Sequence, residues 1–304
     1  MKKSSDEKGR VVTVGTFDGV HRGHREVLNT LKDYAVSHSL SPLVITFDRH
    51  PLEVVAPDRA PRLLQLRSDR DTMLHEAGVE VEEVSFTPSL CSITAGEWMK
   101  ILRDRYGAKA LITGYDNTFG SDGRKMTHED YRRLGERLGL DVIEAPELPG
   151  ICSSCIREAV AAGDMKRASD MLGRDYMVRG KVVEGRRLGR TIGFPTANLS
   201  VEDRIQLPAP GVYAARLNGM PAVVNIGNNP TIAEGNPVTV EAHIIDFEGD
   251  LYGESVVLSF ADSNLRDIWH KVVWNSVWIF THCAALVRTD WVEITKKADR
   301  PFVV

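Results

Sequence analysis

The chain has little cysteine for its length and no pronounced excess of either charge. Four cysteines in 304 residues do not make a disulfide framework, so we expect reduced thiols. A net charge of −4 and a pI near 6.2 argue against a generally basic nucleic-acid-binding protein. The composition therefore favours small molecules as binding partners, and we expect no nucleic-acid partner.

Long apolar runs are also missing. Residues 1–10 are polar and charged, without the apolar core of a signal peptide. The most apolar late stretch, Val272–Val287, is interrupted by Asn, Ser, Thr and His, and it falls short of the roughly 20 apolar residues that a membrane span requires. We therefore predict a cytoplasmic protein that does not contact a membrane.

The length and the residue pattern indicate two domains. A chain of 304 residues exceeds one average domain of about 100–200 residues. In the first half, short apolar runs alternate with amphipathic helical stretches, which is typical of parallel strands with crossover helices. We therefore predict a Rossmann-like α/β domain. Its strands are predicted at residues 11–14, 43–47, 81–86, 110–114 and 142–145, and its helices at 25–37, 68–77, 95–106 and 128–138.

The second half changes to closely spaced β-like runs after helical stretches at residues 156–162 and 165–172. Gly, Pro and Asn, which favour turns, separate these runs. A small antiparallel β-barrel is the natural prediction. Its strands are predicted at residues 176–183, 211–217, 222–227, 238–245 and 254–260. We place the two domains at residues 1–172 and 173–304.

A turn after the first predicted strand is the strongest functional signal. Residues 15–24 read GTFDGVHRGH, which can direct backbone N–H groups and a helix N-terminus towards a phosphate. His21 and His24 share one face of that helix, where imidazoles can stabilise the charge that develops at the α-phosphate of ATP. We therefore predict adenylyl transfer. The alternatives are a glycine-rich turn with incidental histidines and a zinc site, for which no further ligand pair has the usual spacing.

The segment CSSCIR at residues 152–157 allows two interpretations. Cys152 and Cys155 have the spacing of a redox pair. Alternatively, Ser153 and Ser154 cap a helix whose N-terminus meets a triphosphate, and Arg157 pairs with the leaving pyrophosphate. The second interpretation fits the helical pattern that follows.

A second candidate site lies in the β-rich half. Residues 185–199 read GRRLGRTIGFPTANL, in which Thr196 and Asn198 share one side of an extended strand. Their oxygen atoms suit a Mg²⁺–nucleotide site, whereas the simpler alternative is a barrel loop that satisfies its own backbone. Glu241 lies in another β-like run, where it is either a surface residue or a half-buried general base.

Together these motifs resemble the bacterial bifunctional riboflavin kinase/FAD synthetases. In the first half the resemblance covers GTFDGVHRGH, TFDRHP (46–51), GYDNTFG (114–120) and CSSCIR. Asn117 replaces an aromatic residue of the family pattern, and Cys152 replaces a serine. The resemblance implies an FMN adenylyltransferase with His21 and His24 as catalytic residues. The implied ATP-binding residues are Gly15, Phe17, Asp18, Gly19, His21, His24, His50, Asp116, Ser153, Ser154 and Arg157.

The resemblance continues through the second half. GFPTANL, AVVNIGNNPT (222–231) and VEAHIIDFEGDLYGE (240–254) look like the riboflavin kinase module of the same family. The resemblance implies that Glu241 activates the ribityl hydroxyl of riboflavin, and that Thr196 and Asn198 bind Mg²⁺. ATP, riboflavin and FMN are the implied substrates. The implied ATP-binding residues of the kinase are Gly185, Gly189, Gly193, Pro195, Thr196 and Asn198.

The resemblance ends near residue 268. Residues 269–304 depart from the family pattern and contain four of the five tryptophans. They allow helical packing, a shifted reading frame or an aggregation-prone tail. We therefore expect FMN adenylylation to be better preserved than riboflavin phosphorylation. The competing functions are a nucleotidyltransferase for another phosphate and a flavin- or nucleotide-binding sensor without catalysis.

Overall fold

The first half of the chain folds around a parallel sheet. The computed structural model describes residues 9–115, 117–184, 196–228 and 238–260. The sheet strands are β1 (Arg10–Val14), β2 (Ser41–Phe47), β3 (Glu80–Val84), β4 (Ala108–Thr113) and β5 (Asp141–Glu144). They pair in the order β3-β2-β1-β4-β5, all parallel, which confirms the predicted α/β domain. The chain order reverses at β1 and β4, so their carboxyl ends form the expected ligand crevice.

The helices of this half begin and end at strong local signals. They are α1 (Arg22–Ser37), α2 (Pro51–Val55), α3 (Arg67–Glu76), α4 (Pro88–Ser92), α5 (Ala95–Tyr106) and α6 (His128–Leu138). Thr94 and Thr127 cap α5 and α6 in capping boxes. Gly107 and Gly139 end the same helices in the left-handed conformation. The four predicted helices are confirmed.

The second half is a closed antiparallel barrel, as predicted. Two helices, α7 (Ser153–Ala161) and α8 (Met165–Leu172), precede it. The barrel strands are β6 (Tyr176–Val183), β7 (Ala197–Val201), β8 (Gly211–Leu217), β9 (Met220–Asn228), β10 (Val238–Ile244) and β11 (Ser255–Phe260). They close in the order β10-β7-β6-β11-β8-β9. Strand β7 contains Asn198, in the segment that was predicted to be extended.

The two halves share a hydrophobic core and several polar contacts. Ile156 of α7 and Leu172 of α8 pack in the same core as the barrel side chains, and Leu64 of the first half joins them. Leu63 forms an isolated parallel bridge with Ile205. These contacts place the segment around Leu64 against the barrel. The backbone N–H of Leu64 also donates to Asp18 in the turn that follows β1.

Gly120→Ala is predicted to destabilise the first half more than a matched glycine substitution. Gly120 has a φ of 87°, and a Cβ there would lie 2.3 Å from the backbone nitrogen of Ala95, so α5 would have to shift. Gly139 has a φ of 69° and no atom within 4 Å of an added Cβ, so Gly139→Ala meets only the conformational cost of about 1–2 kcal/mol.

Urea denaturation of both variants measures this difference. The overlap at Gly120 adds an overpacking cost. Gly120→Ala should therefore lower the free energy of unfolding by about 1–3 kcal/mol more than Gly139→Ala does. Equal losses in the two variants would contradict the close approach of α5.

Candidate active sites

The turn that follows β1, residues 15–20, has a strained backbone. Phe17 and Val20 have φ values of 50° and 38°, and Gly19 has a φ of 89°. Residues other than glycine rarely adopt such angles, so surrounding contacts must hold them. Gly19 is also closely packed, because a Cβ there would lie 2.8 Å from Leu64 Cδ1. The turn leads directly from the ligand crevice of the sheet into α1.

Asp18 holds this turn against two other segments. Its Oδ1 accepts a hydrogen bond from the backbone N–H of Leu64 at 2.9 Å, and its Oδ2 pairs with Arg157 Nη2 at 2.8 Å. The Asp18 carbonyl accepts a hydrogen bond from Ser153 Oγ at 2.9 Å. The structure thus brings together three predicted site residues from both ends of the first half. Ser154, also predicted, is exposed on α7.

His21 and His24 lie together at the N-terminus of α1. His21 is the N-cap residue, and its Nδ1 accepts a hydrogen bond from the backbone N–H of His24 at 3.3 Å. The two rings stack with centroids 3.6 Å apart, which confirms that they share one face. Because Nδ1 of His21 is an acceptor, the neutral ring carries its proton on Nε2 and can donate it to an anion.

Both imidazoles are neutral near pH 7. Burial, followed by the charges of Arg174 and Arg157, lowers the pKa of His21 to about 4. Burial, followed by the charge of the neighbouring His21, lowers the pKa of His24 well below its usual value. A bound triphosphate would raise both pKa values, because a nearby negative charge favours the protonated ring.

The next two predicted segments border the same turn. His50 is the N-cap residue of α2, and burial together with the charge of Arg157 lowers its pKa. Asn117 donates from Nδ2 to the carbonyl of Val14 at 2.6 Å. The residue that departs from the family pattern therefore tethers its loop to the end of β1.

Cys152 and Cys155 contradict the expectation of reduced thiols. They form a disulfide at the start of α7, with Cα atoms 5.2 Å apart. Cys152 is also the N-cap residue, and its Sγ accepts the backbone N–H of Cys155 at 3.1 Å. Residues three apart lie on one face of a helix. The spacing that suggests a redox pair therefore also allows Cys152 to cap α7 while it is bonded to Cys155.

The predicted kinase residues meet on the outer face of the barrel. Glu241 on β10 pairs directly with Asn198 on β7 and with Asn225 on β9. Directly opposed residues of neighbouring strands point to the same face. Val240, the residue before Glu241, is buried in the barrel core, so the Asn198–Glu241–Asn225 row faces outward. Thr196 is exposed immediately before β7.

Several predicted features lie outside the described residues. They are Asp116, Gly185, Gly189, Gly193, Pro195 and residues 269–304, and their roles stay predictions. Within the described ranges, no group of three or more His, Cys, Asp or Glu side chains is arranged to hold a metal ion. The zinc alternative therefore has no ligand set in that part of the chain.

Sequence reasoning did not find Asn225 or Arg174. Asn225 joins the outer row only through the pairing of β9 with β10, and a polar residue within an apolar β-like run was the available signal. Arg174 follows α8, yet its Nη2 donates to the carbonyl of Gly19 at 2.9 Å. No local pattern marks that long-range contact.

Comparisons with known proteins give two consecutive family matches along the chain. Residues 3–156 match the family model of FAD synthetase, and residues 172–268 match that of riboflavin kinase. The bifunctional riboflavin kinase/FMN adenylyltransferase of Pseudomonas fluorescens is 35% identical over 264 residues, or 84% of each chain. The enzymes of the same name from Escherichia coli K12 and Bacillus subtilis are 35% and 32% identical, and each match covers 82% of both chains.

A solved crystal structure is also similar. It is that of a macrolide-efflux protein from Streptococcus pneumoniae, with a TM-score of 0.75 and 31% identity over 90% of this chain and 93% of that one. In the parts of the present chain that the structure describes, no helix combines the length and apolar character needed to cross a membrane. The two family models and the curated relatives show that the chain belongs to the bifunctional riboflavin kinase/FMN adenylyltransferase family.

Proposed function

We propose that residues 1–172 and 173–304 divide the two reactions of this family between them. The chain phosphorylates riboflavin to FMN and adenylylates FMN to FAD, and ATP is a substrate of both reactions. In this proposal the α/β domain transfers the adenylyl group and the barrel transfers the phosphoryl group. Because both reactions consume ATP, we also place the protein in the cytoplasm.

The proposal for adenylyl transfer is supported by the convergence of five predicted residues on the turn after β1 and on the N-terminus of α1 that follows it. They are Asp18, His21, His24, Ser153 and Arg157. A phosphate oxygen of FMN attacks the α-phosphate of ATP, and the bond to the leaving pyrophosphate breaks. The imidazole N–H groups and the helix N-terminus stabilise the negative charge of the transition state.

The other predicted residues of this site have supporting positions. The turn residues Gly15, Phe17 and Gly19 shape the backbone that receives the nucleotide, and the Phe17 ring lies 5.1 Å from the His24 ring. His50 borders the site through its proximity to Arg157. Ser154, exposed beside Ser153, is available to a phosphate oxygen in this proposal.

The proposal for riboflavin phosphorylation is supported by the direct pairing of Glu241 with Asn198. Glu241 takes the proton of the ribityl hydroxyl as that oxygen attacks the γ-phosphate of ATP. Asn198 and Asn225 flank the carboxylate and orient it and the substrate. The Thr196 hydroxyl and the Asn198 amide oxygen are hard donors that fit Mg²⁺, and the bound ion would neutralise phosphate charge.

The two proposed sites can be tested separately, by the choice of substrate and by a variant that affects only one of the two reactions. The purified chain with Mg-ATP should form FMN and FAD from riboflavin, and FAD with pyrophosphate from FMN. Glu241→Gln removes the base, so its rate of riboflavin phosphorylation should fall by about 100-fold or more, while FAD formation from FMN is unchanged. Chromatography of flavins and a pyrophosphate assay measure both reactions.

Glu248→Gln is the matched control, because Glu248 is an exposed carboxylate of the same domain. It should retain both activities. Absence of FAD from a folded, ATP-binding wild-type chain would refute the first site, and a Glu241→Gln variant with wild-type kinase activity would refute the second.

Acidification is predicted to destabilise the first domain through His21. The pKa of His21 is about 4 in the folded protein against an ordinary value of 6.5. Between these values the unfolded chain binds a proton that the folded chain does not bind, so stability falls as the pH falls. The loss attributable to His21 is about 3 kcal/mol once the pH reaches its folded pKa.

Denaturation by urea at a series of pH values measures this loss. His21→Gln removes the titrating group and should reduce the dependence of stability on pH between 4 and 6.5, whereas the exposed His75→Gln should leave it as in the wild type. An unchanged pH dependence in His21→Gln would contradict a buried neutral imidazole.

A further inference from the structure

Arg174 places a positive charge beside the turn of the adenylyltransferase site. It follows the left-handed Gly173 that ends α8. Its Nη2 donates to the carbonyl of Gly19 at 2.9 Å and to Gln65 Oε1 at 3.0 Å. By sequence, however, Arg174 belongs to residues 172–268, which match the riboflavin kinase model, and lies beyond the FAD synthetase match.

The remaining nitrogens of this guanidinium have no hydrogen-bond partner in the part of the chain that the structure describes. Nε and Nη1 of Arg174 are buried and make no hydrogen bond with the described residues. Burial, followed by the charge of Arg25, lowers the pKa of Arg174 to about 10, so the group is still charged at neutral pH. A buried cation with unused donors is costly unless an anion pairs with it.

Other buried nitrogens near the same turn also lack a partner among the described residues. His24 Nδ1 and Arg157 Nε are also buried without a partner among the described residues. Arg157 reaches the turn through Asp18, and Arg174 reaches it through Gly19. After burial, the charges of Arg174 and Arg157 are the causes that lower the pKa of His21. Guanidinium N–H groups of Arg157 and Arg174 that lack acceptors among the described residues suit a phosphate group.

We propose that Arg174 binds the triphosphate of ATP and the pyrophosphate that leaves it. A residue of the kinase part of the sequence thereby completes the first active site. The inference rests on the proposed adenylyltransferase function. In that reaction the new bond joins the FMN phosphate oxygen to the α-phosphorus, and the electron pair of the broken bond departs with pyrophosphate. A fixed guanidinium stabilises that departing charge.

A purely structural role makes a different prediction. The contact with Gly19 uses only Nη2, and a residue that merely supports the turn would need neither Nε nor Nη1. If Arg174 only supported the turn, its substitution would weaken the fold and would lower the affinity for ATP and for FMN alike. A phosphate-binding role instead acts on ATP and pyrophosphate, with little effect on FMN.

Steady-state kinetics of the full chain separate these roles. The forward reaction gives the KM values of ATP and FMN, and the reverse reaction, from FAD and Mg-pyrophosphate, gives that of pyrophosphate. Arg174→Gln should raise the KM of ATP and of pyrophosphate by about tenfold or more, because a charge-assisted hydrogen bond is lost. Arg174→Lys keeps the charge without the planar fork and should be intermediate.

Riboflavin phosphorylation by the same variants is the internal control, and it should change by less than about twofold. Arg179→Gln is the matched variant. It removes an arginine of the same domain that pairs with Asp69 across the two halves at 2.7 Å, and it should leave the KM of pyrophosphate unchanged. Arg174→Gln should also raise the pKa of His21, measured by NMR, because a neighbouring positive charge has been removed.

An unchanged KM of pyrophosphate in a folded Arg174→Gln or Arg174→Lys chain would overturn the inference. So would an equal effect of Arg179→Gln, because that result assigns the loss to the contact between the two halves. If Arg174→Gln fails to fold, Arg174→Lys provides the test. An increased KM of pyrophosphate in that variant supports the inference, and an unchanged one overturns it. A wild-type chain without adenylyl transfer would instead refute the proposed function itself.

Discussion

The ion pair between the buried Asp18 and Arg157 is the interaction on which the proposed adenylyltransferase site depends. It joins the turn after β1 to α7, and the second carboxylate oxygen holds the backbone of Leu64. Removing one partner of such a pair leaves an uncompensated charge, at a cost of about 3–5 kcal/mol. These contacts fix the conformation of the turn, so Phe17 and Val20 keep their strained backbone angles.

The same contacts connect the two proposed sites through a common hydrophobic core. Leu64, which Asp18 holds, packs in the core that α7 and α8 share with the barrel. The adjacent Leu63 forms backbone hydrogen bonds with Arg204 and Gln206 of the second half. The turn and the outer row of the barrel, to which we assign different reactions, are therefore anchored to a common hydrophobic core.

Local patterns in the sequence predict more of this structure than long-range contacts do. The parallel strands and the histidine turn follow from apolar runs and helix signals within a few residues. Asn198 and Glu241 could be predicted individually, but their alignment with Asn225 depends on strand register. Arg174 reaches a carbonyl 155 positions away, which no local pattern predicts. The low cysteine content favoured reduced thiols, whereas the spacing of Cys152 and Cys155 allowed the disulfide that forms at the start of α7.

The most direct test of this account is the effect of Asp18→Asn on the two activities of the full chain. The substitution keeps the shape of the side chain and removes the charge that holds Arg157. The account predicts that kcat/KM for FAD formation from FMN falls by about 100-fold or more, while riboflavin phosphorylation stays within about threefold of wild type. A folded Asp18→Asn chain that forms FAD with wild-type kcat/KM would contradict the central role of this ion pair.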